Sequence, residues 1–163
     1  MLKFSLVIEE GILDIISLVY SNIKIEGVVK MRIAVFSDIH GNIESLNKVM
    51  EDIKREDVDK MYCLGDLVGY GAYPNEVIDV IRDNEIETVM GNYDQGVGFE
   101  LDDCGCAYKT KEKQILGDRS LAWTQKEVTA ENKEFLKSLK ENIKFEVAGK
   151  KVLLVHGSPR KIN

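Results

Sequence analysis

The chain is poor in several residue types, and each shortage argues against a class of protein. Of its 163 residues only three are Cys, two are Pro and one is Trp. Three thiols in a chain without a secretory signal argue against a disulfide scaffold and for the reducing cytoplasm. No stretch approaches the roughly 20 consecutive apolar residues that a transmembrane helix needs. The formal net charge of −6 disfavours a nucleic-acid ligand, because such a surface does not attract a phosphate backbone.

Histidine is also scarce, and both histidines stand in short polar fragments of chemical interest. His40 and His156 each lie near the end of an apolar run. The polar fragments follow four β-like stretches, at residues 37–42, 64–66, 90–94 and 155–158. A single fragment of this kind is more often a capped turn. Four of them in order, using both histidines, predict a common site.

The segment from residue 32 to residue 90 alternates apolar strands with amphipathic helices. Strands are predicted at residues 32–37, 60–64 and 87–90. One helix follows Gly41 and another opens at Pro74, because proline is well placed in a first helical turn. Strands separated by helices imply right-handed crossovers and a parallel sheet that is covered on both faces. The sequence therefore predicts an α/β fold.

The next region interrupts this alternation. Residues 95–110 are rich in Gly, Asp and Cys and predict a long surface loop beside the site. Helices are predicted around residues 118–126 and after Thr129, which is a suitable N-cap. The second of these helices is expected to end at Asn142.

The last strands predict a second sheet. Residues 144–147 and 151–156 read as two strands joined through an Ala-Gly turn, which indicates a hairpin and not a crossover. Two strands alone would leave this second sheet with an uncovered face and edge.

The first 30 residues are a separate question. Apolar residues recur there at helical spacing, namely Ile8, Ile12, Ile15, Ile16 and Val19. Acidic residues interrupt the run, so it does not predict a targeting peptide. We predict an N-terminal extension at residues 1–30 and a catalytic domain at residues 31–163. The alternative is an amphipathic helix packed on that domain.

The polar fragments carry side chains that bind transition metals. In open α/β sheets, ligands bind beyond the carboxyl ends of the strands, where these fragments lie. Imidazole, carboxylate and amide oxygen together suit Mn, Fe, Zn, Co or Ni rather than Ca. The candidate ligands are Asp38, His40, Asp66, Asn92 and His156. Two divalent ions about 3.5 to 4 Å apart could activate a water and neutralise a phosphoryl transition state, with Asp66 able to bridge them.

The same fragments resemble the calcineurin-like metallophosphoesterases over residues 31–163. The resemblance is carried by Asp38-x-His40, Gly65-Asp66, Gly91-Asn92-x-Asp94 and His156-Gly157-Ser158. It is stronger for the bacterial phosphodiesterase and diadenosine tetraphosphatase-like branch, and it implies a four-layer αββα sandwich. It implies one metal held by Asp38, His40 and Asp66, and another held by Asp66, Asn92 and His156. The residues that it implicates in catalysis are Asn92, Tyr93, Asp94 and His156.

Two departures from the family pattern bear on activity. The family usually has His between the Asn and Asp of its third motif, where this chain has Tyr93. A phenol with a pKa of about 10 is a poorer acid at neutral pH than imidazole. The family also has a later Gly-His-x-His motif that gives one ligand to each metal, and none follows His156 in this sequence. We therefore expect a C-terminally truncated metallophosphoesterase with an incomplete second sheet.

The predicted activity is metal-dependent hydrolysis of a phosphodiester or a small phosphomonoester. A dinucleoside polyphosphate is one possible substrate. Tyr70 and Tyr73 could stack on a base of such a substrate. The alternative is a catalytically impaired fragment that binds metal weakly or binds a protein partner through its sheet edge, and homo-oligomer formation is open. A flavodoxin-like nucleotide-binding module is disfavoured, because Asp38 after the first strand repels phosphate unless a cation intervenes. No membrane association is expected.

The cysteines are given structural interpretations. Cys104-Gly105-Cys106 is interpreted as a loop thiol pair without a special role, because its spacing is not that of a zinc ribbon. Cys63 falls inside a predicted strand and is expected to be a small core residue.

Overall fold

The computed structural model describes residues 31–106, 108–147 and 149–159 in full, and the backbone of residues 4–8, 11–15 and 19–22. Eight strands and five helices lie within these residues. The strands are β1 (Phe4–Ile8), β2 (Gly11–Ile15), β3 (Val19–Asn22), β4 (Arg32–Phe36), β5 (Lys60–Cys63), β6 (Glu87–Thr88), β7 (Asn142–Val147) and β8 (Lys150–Val155). The helices are α1 (Ile43–Arg55), α2 (Pro74–Asp83), α3 (Asn92–Gly98), α4 (Lys111–Glu127) and α5 (Ala130–Ser138).

The first sheet has the order β3-β4-β5-β6, and its last three strands are parallel. This confirms the predicted parallel α/β architecture. Strand β4 is buried on both faces, as parallel strands usually are. Ala34 and Phe36 contribute to the core beneath the helices, whereas Ile33 and Val35 contribute to a second core on the opposite face. The period-two alternation of a strand produces this division.

The five helices pack on one face of the first sheet. Helix α1 begins after Asn42, whose side chain accepts a hydrogen bond from the Ser45 amide at 2.9 Å, and Pro74 opens α2 as predicted. The apolar faces of the helices share one core with the sheet. Its fully buried helical members include Val77, Ile78, Ile81, Val97 and Leu136. None of the described helices is both long and apolar enough to cross a membrane.

The second sheet covers the other face of the first. Its order is β2-β1-β8-β7, and β7 and β8 form the predicted antiparallel hairpin. The core between the sheets contains Ile33, Val35, Tyr62, Leu64, Val89, Ile143, Val152 and Leu154. The rings of Tyr62 and Phe145 stack across it with centroids 5.0 Å apart. The described residues thus form three layers, which are one layer of helices and two sheets. These match three of the four layers of the αββα sandwich.

The N-terminal strands correct the helical interpretation of the first 30 residues. Strand β1 pairs with β8 through Val7 and Ile8. We expected this edge of β8 to be unpaired, and the expectation is wrong. Strand β3 pairs antiparallel with β4 at the edge of the first sheet. β-Branched residues fit a pleated surface well, and pairing with distant strands overrides a local helical spacing. Residues 1–3, 9–10, 16–18 and 23–30 lie outside the described residues, and a separate extension at residues 1–30 stays a prediction.

Three boundaries after residue 91 also differ from expectation. Helix α3 occupies residues 92–98, where the glycines suggested the start of a loop. Helix α4 begins at Lys111 and not at residue 118, because Thr110 caps it by accepting a hydrogen bond from the Lys113 amide. Helix α5 starts after the predicted cap Thr129 but ends at Ser138, and Asn142 begins β7 instead.

The packing of α5 on α3 predicts the stability effect of one substitution. Leu136 is fully buried and occupies the space that Gly98 leaves open on α3. We expect Leu136→Ala to lower the free energy of unfolding by about 2–5 kcal/mol, measured by urea denaturation, because it leaves a cavity. The matched control is Leu116→Ala at a position that is 63% exposed, where the change should stay within about 0.5 kcal/mol. Equally small effects would contradict the assignment of Leu136 to the core.

Candidate metal centre

The site lies at the carboxyl ends of β4 and β5, beside the start of α3 and the end of β8. Asp38 and His40 lie in the loop after β4, and Asp66 lies in the loop after β5. Five backbone hydrogen bonds join these two loops, including the Asp38 amide to the Gly65 carbonyl at 3.0 Å and the His40 amide to the Asp66 carbonyl at 2.9 Å. The backbone therefore fixes the two loops against each other before any side chain contributes.

The Asp66 carboxylate is the centre of the arrangement. Its Oδ2 atom lies 3.7 Å from His40 Nε2 and 3.6 Å from His156 Nε2. On one side, Asp38 Oδ1 lies 3.6 Å from His40 Nε2. On the other side, Asn92 Oδ1 lies 3.1 Å from His156 Nε2. The five predicted ligand residues thus meet in two groups that share Asp66.

Hydrogen bonds to the backbone orient both histidines. His40 Nδ1 lies 2.9 Å from the Val68 carbonyl oxygen, and His156 Nδ1 lies 2.7 Å from the Leu64 carbonyl oxygen. A carbonyl oxygen only accepts, so each Nδ1 carries the hydrogen and each Nε2 is left with its lone pair. Metal-binding histidines in proteins usually have this second hydrogen bond.

The electrostatics of the site favour a cation. Burial raises the pKa of Asp66, whose side chain is only 3% exposed. Burial alone would lower the pKa of His40, but the carboxylates of Asp38 and Asp66 outweigh it and raise that pKa. Among the described residues, Asp38 Oδ1 is the buried side-chain atom that lacks a hydrogen bond. Ligand atoms of Asp38, His40 and Asp66 all lie within 4.8 Å of one another, so these residues fit a divalent cation.

The backbone at the site is unusual at three of the predicted ligands. Asp38, His40 and Asp66 have φ angles of 57°, 49° and 54°, in the left-handed region. Non-glycine residues in this region cost roughly 1–3 kcal/mol each and cluster at functional sites. The sharp turn of the first loop thus involves Asp38 and His40 themselves as well as Gly41, which has a φ of 66°.

Gly65 and Gly91 are needed because two loops approach each other closely. A Cβ atom on Gly65 would collide with the backbone of Gly91, and a Cβ atom on Gly91 would collide with Asp66. The absence of both side chains lets the loops that carry Asp66 and Asn92 approach each other closely.

Asp94 lies behind the site and not in it. Its Oδ2 atom accepts hydrogen bonds from the amides of Asp66 at 2.8 Å and Gly91 at 2.9 Å, and its Oδ1 atom accepts one from Leu67 at 2.8 Å. The side chain is completely buried. Both oxygens thus accept hydrogen bonds from the backbone of the loops that carry Asp66 and Asn92, and the catalytic role of Asp94 stays a prediction.

Tyr93 contributes to the site through both its backbone and its ring. Its amide donates to Asp66 Oδ1 at 2.9 Å, which leaves Oδ2 to face the histidines. Its ring lies edge-on to His40, with centroids 5.4 Å apart. The hydroxyl group lies 3.0 Å from that of Tyr108, which lies 3.4 Å from that of Tyr70. Burial raises the pKa of the Tyr93 phenol, so it is a hydrogen-bonding group rather than a strong acid.

Two residues that the sequence interpretation missed contact the site. Asn92 Nδ2 donates a hydrogen bond to Cys106 Sγ at 3.1 Å, and Tyr108 bonds Tyr93. The composition of residues 95–110 placed this loop beside the site, but nothing in its spacing indicated which side chains turn inward. The hydrogen bond between the two cysteine thiols lowers the pKa of Cys104 and raises that of Cys106.

Two clefts border the predicted ligands. A cleft of about 510 Å³ opens beside Asp38 and His40, and Tyr70 and Tyr73 line it. Another of about 360 Å³ opens beside His156 and is lined by residues of β7 and β8. His40 and His156, which lie on either side of Asp66, therefore each line a cleft, whereas Asp66 itself lines neither.

Comparison with known proteins bears on this geometry. The calcineurin-like phosphoesterase superfamily domain matches residues 31–163. The chain belongs to this superfamily. An uncharacterized protein of Methanocaldococcus jannaschii is 45% identical over 134 residues, which are 82% of this chain and 52% of that protein. The chain therefore spans about half the length of this relative.

Solved structures agree with the assignment of the fold. A metallophosphoesterase from Sphaerobacter thermophilus is 32% identical, with a TM-score of 0.52 over 69% of this chain and 43% of that one. A hypothetical protein from Pyrococcus horikoshii OT3 shares the fold at 24% identity, with a TM-score of 0.63 over 79% of this chain and 56% of that one. A candidate diadenosine tetraphosphatase shares it at 21% identity, with a TM-score of 0.52 over 68% and 44%.

The hydrogen bonds of Asp94 predict the effect of removing its charge. We expect Asp94→Asn to lower the free energy of unfolding by about 2–3 kcal/mol, because an amide turns one NH₂ group toward backbone N–H donors. The affinity for Mn²⁺ should fall about 10- to 100-fold, because Asp66 loses its support. Urea denaturation and isothermal titration calorimetry measure the two effects.

The control is Asp83→Asn, at an exposed position at the end of α2. Both quantities should stay close to the wild-type values there. An Asp94→Asn variant with unchanged stability and unchanged Mn²⁺ affinity would show that this carboxylate does not hold the site together.

Proposed function

We propose that this chain carries the dinuclear metal centre of a phosphoesterase that hydrolyses a phosphodiester or a small phosphomonoester. The observation that carries the proposal is the position of Asp66 Oδ2, 3.7 Å from His40 Nε2 and 3.6 Å from His156 Nε2. A single carboxylate between two imidazoles, each oriented by a backbone carbonyl, is suited to bridge two cations.

The ligand groups follow from the distances. Asp38, His40 and Asp66 would hold one cation, and Asp66, Asn92 and His156 would hold the other. The donor set of imidazole, carboxylate and amide oxygen suits Mn, Fe, Ni, Co or Zn. When bound, two such ions supply an activated water and neutralise charge on a phosphoryl group. We propose manganese as the first ion to test.

The remaining site residues would position the reacting groups. Asp94 holds the loops that carry Asp66 and Asn92, through the amides of Asp66 and Gly91. Tyr93 holds Asp66 Oδ1 through its amide, and we propose that its hydroxyl hydrogen-bonds the leaving group instead of protonating it fully. Asn92 and His156 complete the predicted catalytic set as ligands that also face the phosphate.

The substrate is proposed to be a small phosphorylated molecule. The cleft beside His40 holds about 510 Å³, and the exposed rings of Tyr70 and Tyr73 line it. Such rings suit an aromatic leaving group or a base, and a dinucleoside polyphosphate is one candidate, in line with the candidate diadenosine tetraphosphatase of the same fold.

Three free thiols support a cytoplasmic location.

The competing proposal is a catalytically impaired fragment that binds metal weakly or binds a partner through the edge of β7. The observation in its favour is that the described residues give each cation only three ligands. The two proposals differ in turnover, because the fragment would bind Mn²⁺ without hydrolysing a phosphoester.

The first test measures metal binding and turnover together. We expect the chain to bind Mn²⁺ in calorimetry and to release p-nitrophenol from bis-p-nitrophenyl phosphate with Mn²⁺, Ni²⁺ or Co²⁺. Asp66→Asn should reduce both by at least about 100-fold, because it removes charge shared by two cations. Asp83→Asn should leave both unchanged. Metal binding without turnover would support the impaired fragment, and absence of both would rule out the dinuclear centre.

The second test concerns Tyr93. We expect Tyr93→Phe to slow hydrolysis of an alkyl phosphoester about 10-fold or more and that of a p-nitrophenyl ester much less. The reason is that only the poorer leaving group needs a hydrogen bond as its charge develops. The control is Tyr73→Phe on the rim of the cleft, which should affect both esters equally and little. An equal effect of Tyr93→Phe on both esters would assign Tyr93 a purely structural role.

A further inference from the structure

The loop between α3 and α4 brings a thiol onto a predicted metal ligand. Cys106 Sγ accepts a hydrogen bond from Asn92 Nδ2 at 3.1 Å. The other end of the same amide, Asn92 Oδ1, lies 3.1 Å from His156 Nε2. Because His156 Nε2 carries a lone pair, a hydrogen bond to His156 alone would turn the NH₂ group of Asn92 toward the imidazole. The donation from Nδ2 to Cys106 holds the opposite orientation, so the position of the Cys106 sulfur decides which atom of Asn92 faces the site.

A second thiol stands within hydrogen-bonding contact of the first. Cys104 and Cys106 hydrogen-bond each other through their side chains. Gly105, between them, has a φ of 70°, and its amide donates to Asp103 Oδ1 at 2.7 Å, which stabilises a tight turn. A disulfide needs Cα atoms about 4.4–6.8 Å apart, a separation that two residues across a turn reach readily. The turn thus holds the two thiols next to each other.

The third cysteine provides a contrast within the same chain. Cys63 is completely buried in β5, and burial raises the pKa of its thiol. Cys106 is only half-buried, on a surface loop. Cys104 is only 7% exposed. An oxidant in solution therefore reaches Cys106 first, and does not reach the strand cysteine.

We propose that Cys104 and Cys106 form a reversible thiol–disulfide switch that sets the orientation of Asn92 at the metal centre. The oxidant is a hydroperoxide. One thiol attacks its O–O bond, which breaks, and becomes a sulfenic acid while water or an alcohol leaves. The second thiol attacks that sulfur, so that an S–S bond forms and a water molecule leaves. The two thiols lose two electrons, which reduce the peroxide.

The disulfide would change the surroundings of Asn92. The two sulfurs must move from hydrogen-bonding contact to a bond of about 2.05 Å, which draws Cys106 toward Cys104. Asn92 Nδ2 then loses its acceptor, and the amide is free to turn its oxygen away from His156. Reduction restores the contact. The effect on metal binding rests on the proposed function, whereas the disulfide and the release of Asn92 do not.

Disulfide mapping tests the covalent step. The full chain is treated with hydrogen peroxide, and its thiols are counted and located by mass spectrometry. We expect two of the three thiols to be lost, a Cys104–Cys106 link, a free Cys63, and full recovery with dithiothreitol. Circular dichroism verifies that the oxidised chain is still folded. A chain that retains three thiols, or one that oxidises at Cys63 instead, would overturn the proposal.

A measurement without metal tests the coupling to Asn92. The side-chain amide resonances of Asn92 in ¹⁵N-labelled protein are identified by their loss in Asn92→Asp. We expect them to shift when the disulfide forms and to return on reduction. A disulfide that leaves these resonances in place would overturn the coupling, whatever the metal affinity. A shift in a chain that binds no Mn²⁺ would support the switch while the proposed function fails.

Calorimetry with Mn²⁺ extends the test to the metal centre. We expect oxidation to weaken Mn²⁺ binding about 10- to 100-fold, as the loss of a residue that supports a ligand usually does. Cys106→Ala should bind weakly whatever the redox state, and Cys106→Ser should recover part of the affinity because its oxygen accepts from Asn92. Reduced Cys104→Ala is the matched control, because it keeps the Cys106 acceptor and cannot form the disulfide. Equal affinities of the reduced and oxidised wild-type chains would overturn the effect on metal binding.

Discussion

The carboxylate of Asp94 is the interaction on which the metal centre depends. It accepts hydrogen bonds from the amides of Asp66, Leu67 and Gly91, and so joins the loop after β5 to the start of α3. A buried carboxylate that accepts several backbone N–H groups is held in one place and holds its donors in turn. The close approach of Gly65 and Gly91 makes these hydrogen bonds geometrically accessible. Asp66 and Asn92 are thus fixed relative to each other before a cation contributes.

The free-energy cost that this arrangement adds to folding is concentrated at the predicted metal-ligand residues. Asp38, His40 and Asp66 have left-handed backbones, and Asp66 is buried next to a second carboxylate, Asp94. Both features oppose folding unless a positive charge compensates them. The packing that offsets this cost lies elsewhere, in the two cores on either face of the first sheet. The residues that stabilise the fold therefore lie in the two cores, whereas the predicted site residues lie at the ends of the strands.

The described part of the loop between α3 and α4 contacts two of the predicted site residues. Tyr108 bonds the hydroxyl of Tyr93, and Cys106 bonds the amide of Asn92, so two consecutive residues of α3 are held by one loop. Tyr93 stands where the family usually has His, and its burial favours a hydrogen-bonding role over proton transfer. In our proposals, this loop therefore influences both the hydrogen-bonding role of Tyr93 and the orientation of Asn92. Its cysteines extend that influence to redox chemistry in our proposal.

The sequence by itself determined the parallel sheet, the helices that begin after Gly41, at Pro74 and after Thr129, and the four polar fragments at strand ends. These follow from local periodicity, caps and glycine chemistry, which act over a few residues. Only the tertiary structure decided that Asp94 faces the backbone, that Cys106 meets Asn92, and that residues 4–8 and 19–22 form strands instead of a helix. Each of those outcomes depends on partners far away along the chain, as with His156 and the Leu64 carbonyl, 92 residues apart. Local spacing holds no information about such partners, because packing and long-range hydrogen bonding select among conformations that the local sequence leaves nearly equal in free energy.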